Sequence, residues 1–182
     1  MASTFTWYED NGPAIGSPPH GTTSASVTNV NWKNIDDTTT AYTSAPITAG
    51  NNSYQKNQYG VFTGTFAQIT SGLFAHTGGT FGTGVALVGV ASATTAAGPY
   101  AYVTPSTTAD SGLPTSMTTP IAIGSGVTVW FGPTGPQTAS KAASSTANPT
   151  YTNYLTTQLQ TTGSALPGDT STQTMTLEWT EH

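Results

Sequence analysis

Positive charge is the scarcest feature of this 182-residue chain, which has no cysteine and only three basic residues, Lys33, Lys56 and Lys141. Because cysteine is absent, disulfides, thiolate nucleophiles and zinc–thiolate sites are excluded. A nucleic-acid partner needs clustered lysine or arginine to displace the counterions of its phosphates, and an anionic membrane needs a similar cluster. We therefore expect neither nucleic acid nor a membrane as a partner.

Long apolar runs are missing as well. No segment approaches the roughly 18 apolar residues of a transmembrane helix, and the first residues lack the basic and apolar regions of a signal peptide. We therefore expect the chain to be made in a cytoplasm and to mature uncleaved. Its low charge and many hydroxyl groups are more typical of a protein that works outside the cell.

The residues that are abundant favour extended structure. The chain has 39 threonines, 20 glycines and 12 prolines, whereas only 6% of its residues are charged. Threonine is β-branched and favours strands, while glycine and proline break helices and form turns. Such a composition also occurs in disordered chains, but the four tryptophans, eight tyrosines and six phenylalanines along the chain favour an ordered core. The composition predicts an ordered all-β protein.

Alternating polar and apolar residues between turn signals predict about nine or ten strands and no α-helix. The clearest alternation is at 172–180, where Met175, Leu177 and Trp179 share one face. The longest candidate is 59–70. In full, the predicted strands cover residues 4–8, 26–32, 38–45, 59–70, 85–91, 100–104, 120–123, 126–131, 154–162 and 172–180.

Strands at this spacing predict an antiparallel β-sandwich of Ig-like or jelly-roll type. We expect residues 1–182 to form a single domain. Residues 11–25 and 132–150 are rich in proline and glycine, and we interpret them as long loops or as arms that extend from the domain. One helical turn is expected near Lys141.

Sequence motifs give no sign of catalysis. The glycine-rich stretch at 78–84 lacks the lysine and the following helix of a phosphate-binding loop, so a flexible loop or hairpin is expected there. The histidines His20, His76 and His182 do not have the spacing of a metal site, and no serine lies in a nucleophile-elbow motif. We expect no catalytic, cofactor-binding or metal-binding residue.

Acidic residues and tryptophans leave alternatives open. Asp36 and Asp37 are candidates for calcium ligation, although aspartate is also an ordinary turn residue. A glycosidase needs two carboxylates close together, and a glycan-binding protein needs aromatic rings on which sugars stack. The candidate glycosidase carboxylates are Glu9, Asp10, Glu178 and Glu181. The candidate rings for glycan binding are Trp7, Trp32, Trp130 and Trp179. For Trp179 we favour core packing, because it alternates with Met175 and Leu177.

In composition and layout, including the segments 54–70 and 172–182, the chain resembles small Thr/Gly-rich virion proteins of tailed bacteriophages, and capsid decoration (cement) proteins most of all. The resemblance spans the whole chain and rests on no single motif. It implies a β domain that forms homo-oligomers, with a trimer favoured, and binds the major capsid protein or other virion proteins on the particle exterior after synthesis in the host cytoplasm. The alternatives are another virion part (neck, tail, head fibre or baseplate) and a glycan-binding adhesin domain.

Overall fold

A computed structural model describes residues 2–17, 19–89, 102–109, 115–116, 120–136, 141–166 and 172–182. These residues form two antiparallel β-sheets packed face to face, so the predicted β-sandwich is confirmed. The one helical element among them is a 3-10 turn at Tyr42–Ser44. The strands are β1 (Ser3–Asn11), β2 (Thr23–Ser26), β3 (Lys56–Gly64), β4 (Ile69–Gly78), β5 (Val85–Gly89), β6 (Thr115–Ser116), β7 (Val127–Val129), β8 (Phe131–Gly132), β9 (Ser144–Ser145), β10 (Thr150–Thr152), β11 (Leu155–Thr161) and β12 (Thr174–Glu181).

The larger sheet has the strand order β2-β1-β3-β11-β5-β6, and β10 joins β3 to β8. Strand β3 is central, because β1 pairs along one of its edges and β10 and β11 share the other. In the smaller sheet the order is β12-β4-β7, and β9 also pairs with β4. The chain therefore contributes its first and last long strands to opposite sheets.

The main core lies between the two sheets. Side chains of β1 and β12 meet there, where the ring centroids of Phe5 and Trp179 are 5.2 Å apart and those of Phe62 and Trp179 are 5.1 Å apart. This packing confirms that Trp179 is a core residue. The buried members of the core are Phe62, Ile69, Phe74, Leu87, Val129, Phe131, Leu155 and Leu159.

A second cluster lies on the outer face of the larger sheet. Tyr59, Tyr102 and Tyr154 are buried there, and we call them the outer tyrosine cluster. The segment 102–109 covers this face and is held by side chains of the sheet. Asn57 Nδ2 donates to the carbonyl of Val103 at 2.8 Å, and Gln158 Nε2 donates to that of Thr108 at 2.9 Å. The sheet thus has apolar packing on both of its faces.

Strand predictions are best where alternation is strict. The predicted strands at 4–8, 154–162 and 172–180 are all present within a few residues. The expectation that 126–131 is one strand is wrong, because β7 ends at Val129 in the smaller sheet and β8 begins at Phe131 in the larger sheet. The predicted strand at 85–91 is β5, and its last two residues lie outside the described part of the chain. The expectation that 59–70 is one strand is wrong, because β3 ends at Gly64 and β4 begins at Ile69. The chain changes sheets between them, and Gly64 has a φ of 98°, which favours glycine.

Several other predicted strands are wrong because side chains supply hydrogen bonds in place of a neighbouring strand. Residues 38–45 contain a turn closed by the Asp37 carboxylate, which accepts from the backbone N–H groups of Thr39 and Thr40. In the predicted strand at 26–32, only Ser26 belongs to a strand. The described residues of the candidates at 100–104 and 120–123 also lie outside strands.

The two expected arms are largely folded back onto the domain. Residues 11–25 begin in β1 and return through β2, and Ile15 and His20 exchange two backbone hydrogen bonds within the loop. In the segment 132–150, Ala142 exchanges two backbone hydrogen bonds with Phe131, and β9 pairs with β4. The described residues of that segment contain no helical turn, so the turn predicted near Lys141 is wrong there.

Candidate functional site

All three lysines of the chain are buried, with exposed fractions of 1% for Lys33, 0% for Lys56 and 4% for Lys141. Since the chain has no arginine, its surface carries no lysine or arginine side chain. Buried lysines are rare unless they are paired. The sequence analysis used these lysines only as evidence against a nucleic-acid or membrane partner and did not predict their burial, which is the most distinctive feature of the structure.

Lys56 forms a buried ion pair with Glu9. Its Nζ atom lies 2.8 Å from Glu9 Oε1, and it also donates to the backbone carbonyl of Asp37 at 3.1 Å. Strands β1 and β3 place both residues on the sheet face that also carries Trp7 and Phe62, because alternate residues of a strand share a face. A buried charge without its partner would be strongly destabilising, so each residue requires the other.

The network continues from β1 into the loop at 34–40. Asn11 Nδ2 donates to Glu9 Oε1 at 2.9 Å and to Asp36 Oδ1 at 2.7 Å, and Asp36 Oδ2 accepts from the backbone N–H of Gly12 at 2.6 Å. The Asp36 carboxylate therefore binds hydrogen-bond donors with both of its oxygens. It connects the loop to the end of β1.

Asp37 forms the second ion pair. Its Oδ1 atom lies 2.6 Å from Lys33 Nζ, and its Oδ2 atom accepts from the Thr40 hydroxyl at 2.6 Å. Burial alone would raise the pKa of the Asp37 carboxyl, but the hydrogen bonds from Lys33 and Thr40 outweigh it and hold that pKa well below its usual value. Asp36 and Asp37, the calcium candidates, thus both bind donors within the protein.

Beside this network lies a small polar pocket with room for about one water molecule. Its lining comprises Glu9, Val27, Asn29, Asn31, Lys33, Asp37 and Thr38. A sugar or a cofactor is far too large for this space. Within the described part of the chain, no group of three or more histidine, aspartate or glutamate residues could hold a metal ion.

Lys141 differs from the other two lysines because no carboxylate faces it among the described residues. Its Nζ donates to the backbone carbonyls of Thr134 at 3.2 Å and Gly135 at 2.6 Å. Burial lowers the pKa of Lys141 to about 8. The side chain ties the loop after β8 to the beginning of the segment that leads to β9.

Asp10 occupies the outer tyrosine cluster and has no cationic partner. Its Oδ2 atom accepts a short hydrogen bond from the Tyr154 hydroxyl, and its buried Oδ1 atom has no partner. Burial, together with the nearby Asp10 carboxylate, raises the pKa values of Tyr154 and Tyr102. Burial also raises the pKa of Tyr59 to about 12. All three tyrosines are therefore neutral at physiological pH, and Tyr154 donates to Asp10 while Tyr102 donates to the carbonyl of Gly12.

His76 is fully buried in β4, and its Nε2 atom lies 2.8 Å from Gln173 Oε1. Gln173 Nε2 donates to the carbonyl of Thr80, so Gln173 Oε1 faces His76 as an acceptor and His76 Nε2 carries the proton. The ring also packs on Phe81, with centroids 5.1 Å apart. Through Gln173 and Phe81, His76 thus fastens the glycine-rich loop at 78–84.

The remaining candidates lie apart from one another. None of the four tryptophans is fully exposed, and Trp7, Trp32 and Trp179 pack against the core. Glu178 is exposed on β12, whereas Glu181 accepts hydrogen bonds from the backbone and side chain of Ser3. Glu181 therefore fastens the first strand, whereas Glu178 does not take part.

The burial of Glu9 could have been predicted from the alternation of residues in the first strand. In β1, Phe5, Trp7, Glu9 and Asn11 follow the strict alternation of one strand face, so Glu9 belongs to the same face as the aromatic residues. A carboxylate on a core face requires a cation, and the chain offers only three. Which lysine forms the ion pair with Glu9 depends on strand pairing, and the sequence does not reveal that pairing.

Comparison with known proteins gives no relative. No family model, no curated protein and no solved structure matches the chain. Among the described residues, no helix has the length and apolar character needed to cross a membrane. Functional inference therefore rests on the arrangement of the side chains.

Proposed function

We propose that the chain is a non-enzymatic structural protein of a tailed-bacteriophage particle, and specifically a decoration (cement) protein that binds and stabilises the outer capsid lattice. The observation that carries this proposal is the burial of all three lysines. Because the lysines are buried, the surface carries hydroxyl, amide and carboxylate groups, and ion pairs stabilise the interior. Such an arrangement suits a protein that is exposed to the medium for long periods and performs no chemistry.

The interior charges support a mechanical role because they join segments that are distant in the sequence. Glu9 on β1 binds Lys56 on β3, and Lys56 also binds the loop at Asp37. Lys33 then binds Asp37 from the preceding segment. Each lysine is enclosed, so salt in the medium screens these pairs far less than it screens surface pairs.

A hydroxyl-rich surface is available for the capsid contact. The outer face of the smaller sheet carries the carboxylate of Glu178 and a set of threonines, which we call the threonine face: Thr70, Thr77, Thr128, Thr176 and Thr180. Thr77 and Thr176 are hydrogen-bonded to each other at 2.6 Å, while Thr128 and Thr180 are exposed. We propose that the major capsid protein contacts this face through neutral hydrogen bonds, which are insensitive to salt.

Several copies of the threonine face, presented together, would bind the capsid more tightly than one copy does. A homo-oligomer, with a trimer favoured, presents several threonine faces at once to a symmetric lattice. Individually weak contacts then become avid without any new interaction, provided that the geometry lets them engage together. The protein would be made in the host cytoplasm and displayed on the assembled particle.

Copy number in purified particles tests this proposal. Quantitative mass spectrometry should find the chain at copy numbers in the hundreds, in a fixed ratio to the major capsid protein. Particles that lack it should be less robust to heat or chelation. A few copies per particle, in three-, six- or twelvefold number, would instead identify a neck, tail, head-fibre or baseplate part, and absence from particles would reject a virion role.

The contact surface is tested with matched lysine substitutions. Thr128→Lys, on the threonine face, should weaken binding to undecorated capsids at least tenfold, because its long charged side chain prevents the close contact that the short threonine side chains allow. Thr63→Lys, at an exposed position at the end of β3 in the other sheet, should bind like the parent protein. Equal binding by both variants would exclude the threonine face as the contact.

A further inference from the structure

Asn11 and Lys56 face each other across the β1–β3 pair. The antiparallel register joins Glu9 with Gln58 and Asp10 with Asn57, so the next position sets Asn11 opposite Lys56. Directly opposite residues of an antiparallel pair share a face and have Cβ atoms about 4.5–5.5 Å apart. A lysine side chain is long enough to span that distance, and the two side chains meet at the Glu9 carboxylate.

Glu9 connects these two side chains through a single oxygen. Its Oε1 atom lies 2.8 Å from Lys56 Nζ and 2.9 Å from Asn11 Nδ2. None of the three residues is more than 4% exposed. A potential nucleophile, a proton carrier and a carboxamide are thus held together in a site that excludes bulk water.

We propose that these residues form a self-modifying site that joins Lys56 to Asn11 by an intramolecular amide bond. In this reaction the Lys56 ammonium first gives a proton to the Glu9 carboxylate. The neutral Nζ then attacks Asn11 Cγ, and the Cγ–Nδ2 bond breaks as Glu9 returns the proton to Nδ2. Nζ gives its second surplus proton to the same carboxylate, so one ammonia molecule departs and Glu9 is left protonated. No oxidant, cofactor or second substrate is required.

Burial favours the first step. A desolvated ion pair is costly to maintain, because each charge has left water for a medium of low dielectric constant. Proton transfer from Lys56 to Glu9 replaces these two charges with two neutral groups. It also frees the lone pair that the attack on the carboxamide requires.

Asp36 orients the carboxamide for this reaction. Its Oδ1 atom accepts the second N–H of Asn11 Nδ2 at 2.7 Å, so both hydrogens of the leaving nitrogen point at carboxylates. This fixes Nδ2 on the side of Glu9 and Asp36 and identifies which end of the amide departs. Asp36 is therefore a positioning residue, and Glu9 is the residue that carries protons.

Lys141 provides an internal control for the site. It is also buried, but its Nζ atom donates to the backbone carbonyls of Thr134 and Gly135, and no carboxylate joins it to a carboxamide among the described residues. Burial alone is therefore not the basis of the expected reaction. The cross-link also does not depend on the proposed virion role, since it would form in any folded copy of the chain.

The test is the intact mass of the purified, acid-unfolded protein. We expect the mass to be lower than the mass of the uncross-linked chain by that of one ammonia molecule, and peptide sequencing to show a branched peptide joining positions 11 and 56. Lys56→Met and Glu9→Gln should both restore the full mass, after correction for the substitution. Lys141→Met should retain the ammonia loss.

Glu9→Gln keeps the size and much of the hydrogen bonding of Glu9, and its folding is checked by circular dichroism. Should Lys56→Met fail to fold, the parent mass and the branched peptide still decide the matter. A parent protein with the full uncross-linked mass would overturn the proposal. So would an ammonia loss that persists in Lys56→Met, because the loss would then arise elsewhere in the chain.

Discussion

The Tyr154 hydroxyl donates a hydrogen bond to the carboxylate of Asp10, which lies 144 residues earlier in the chain. It is the one side-chain donor that reaches this buried carboxylate among the described residues, since Asp10 Oδ1 has no partner. The bond joins β1 to the residue that precedes β11, across the central strand β3. The outer tyrosine cluster is thus assembled from distant parts of the chain around a single negative charge.

Tyr154→Phe should therefore destabilise the fold by roughly 2–3 kcal/mol, because it leaves a buried carboxylate without a donor. The measurement is urea-induced unfolding at neutral pH. Tyr42→Phe, at an exposed tyrosine, is the matched control and should change stability by less than about 0.5 kcal/mol. Equal stabilities for the two variants would show that Asp10 does not depend on Tyr154.

Lys33 and Lys141 should resist an amine-reactive reagent in the native protein and react fully after unfolding, because both Nζ atoms are enclosed and hydrogen-bonded. Lys56 should also be unreactive in the native state. Mass spectrometry of labelled peptides counts the modified sites. Rapid native labelling of any of the three lysines would contradict their burial.

The buried amine of Lys141 makes stability rise with pH over an alkaline window. Its pKa is about 8 in the folded chain, below the ordinary value of 10.5, so the unfolded chain binds more protons between these two values. Stability should therefore increase by roughly 3 kcal/mol from pH 8 to pH 10.5. Unfolding curves of the parent and Lys141→Met should differ in this slope, and equal slopes would contradict the assignment.

Tyrosine ionisation acts in the opposite direction at higher pH, because the pKa of Tyr59 is raised to about 12 and the unfolded chain loses its phenolic protons first. Both proteins in the Lys141 comparison share this effect. The difference between their curves therefore isolates the lysine.

Asp37→Asn should lower stability at neutral pH by roughly 3 kcal/mol, because Lys33 stays buried after losing its carboxylate partner. The depressed pKa of Asp37 means that the parent holds this stabilisation above about pH 4 and loses it as the pH falls further. The gap in stability between the two proteins should thus narrow steadily as the pH falls from about 4 toward about 2. Glu178→Gln, at an exposed carboxylate, is the control, and a gap that does not narrow in acid would count against the ion pair.

Gly72→Ala should destabilise the sandwich by about 2 kcal/mol or more. A Cβ atom at position 72 would lie 2.5 Å from Phe131 Cζ and 2.9 Å from Val129 Cβ, within the core between the sheets. Gly163→Ala is the matched control, because a Cβ there meets nothing within 4 Å. Thermal unfolding of both variants checks the prediction, and similar melting temperatures would contradict the packing at Gly72.

The parts of the fold that could be predicted from sequence are those with local signals. Leu155 and Leu159 alternate with polar residues, as do Met175, Leu177 and Trp179, and the strands that contain them are where alternation places them. Between 26 and 45 a similar pattern failed. There the Asp37 carboxylate closes a turn and binds Lys33 through local side-chain hydrogen bonds, which the alternation of polar and apolar residues does not reveal.

The candidate site was harder still to predict. Glu9 could be assigned to the core face from its alternation with Trp7, but Lys56 is 47 residues further along, and only the register of β1 against β3 brings the two together. Segment 102–109 illustrates the same difficulty, because the side chains of Asn57 and Gln158 hold it without a strand of its own. Where amide side chains replace the backbone hydrogen bonds of a neighbouring strand, the sequence shows no alternation from which the contact could be predicted.

Confinement of every lysine to the interior also has a consequence for adhesion. Host debris released at lysis is dominated by polyanions, chiefly nucleic acids and acidic envelope fragments, and these adsorb to surfaces through exposed ammonium and guanidinium groups. A shell made of this protein would present no lysine or arginine side chain to them. It would resist fouling, and the particle beneath would remain free to diffuse.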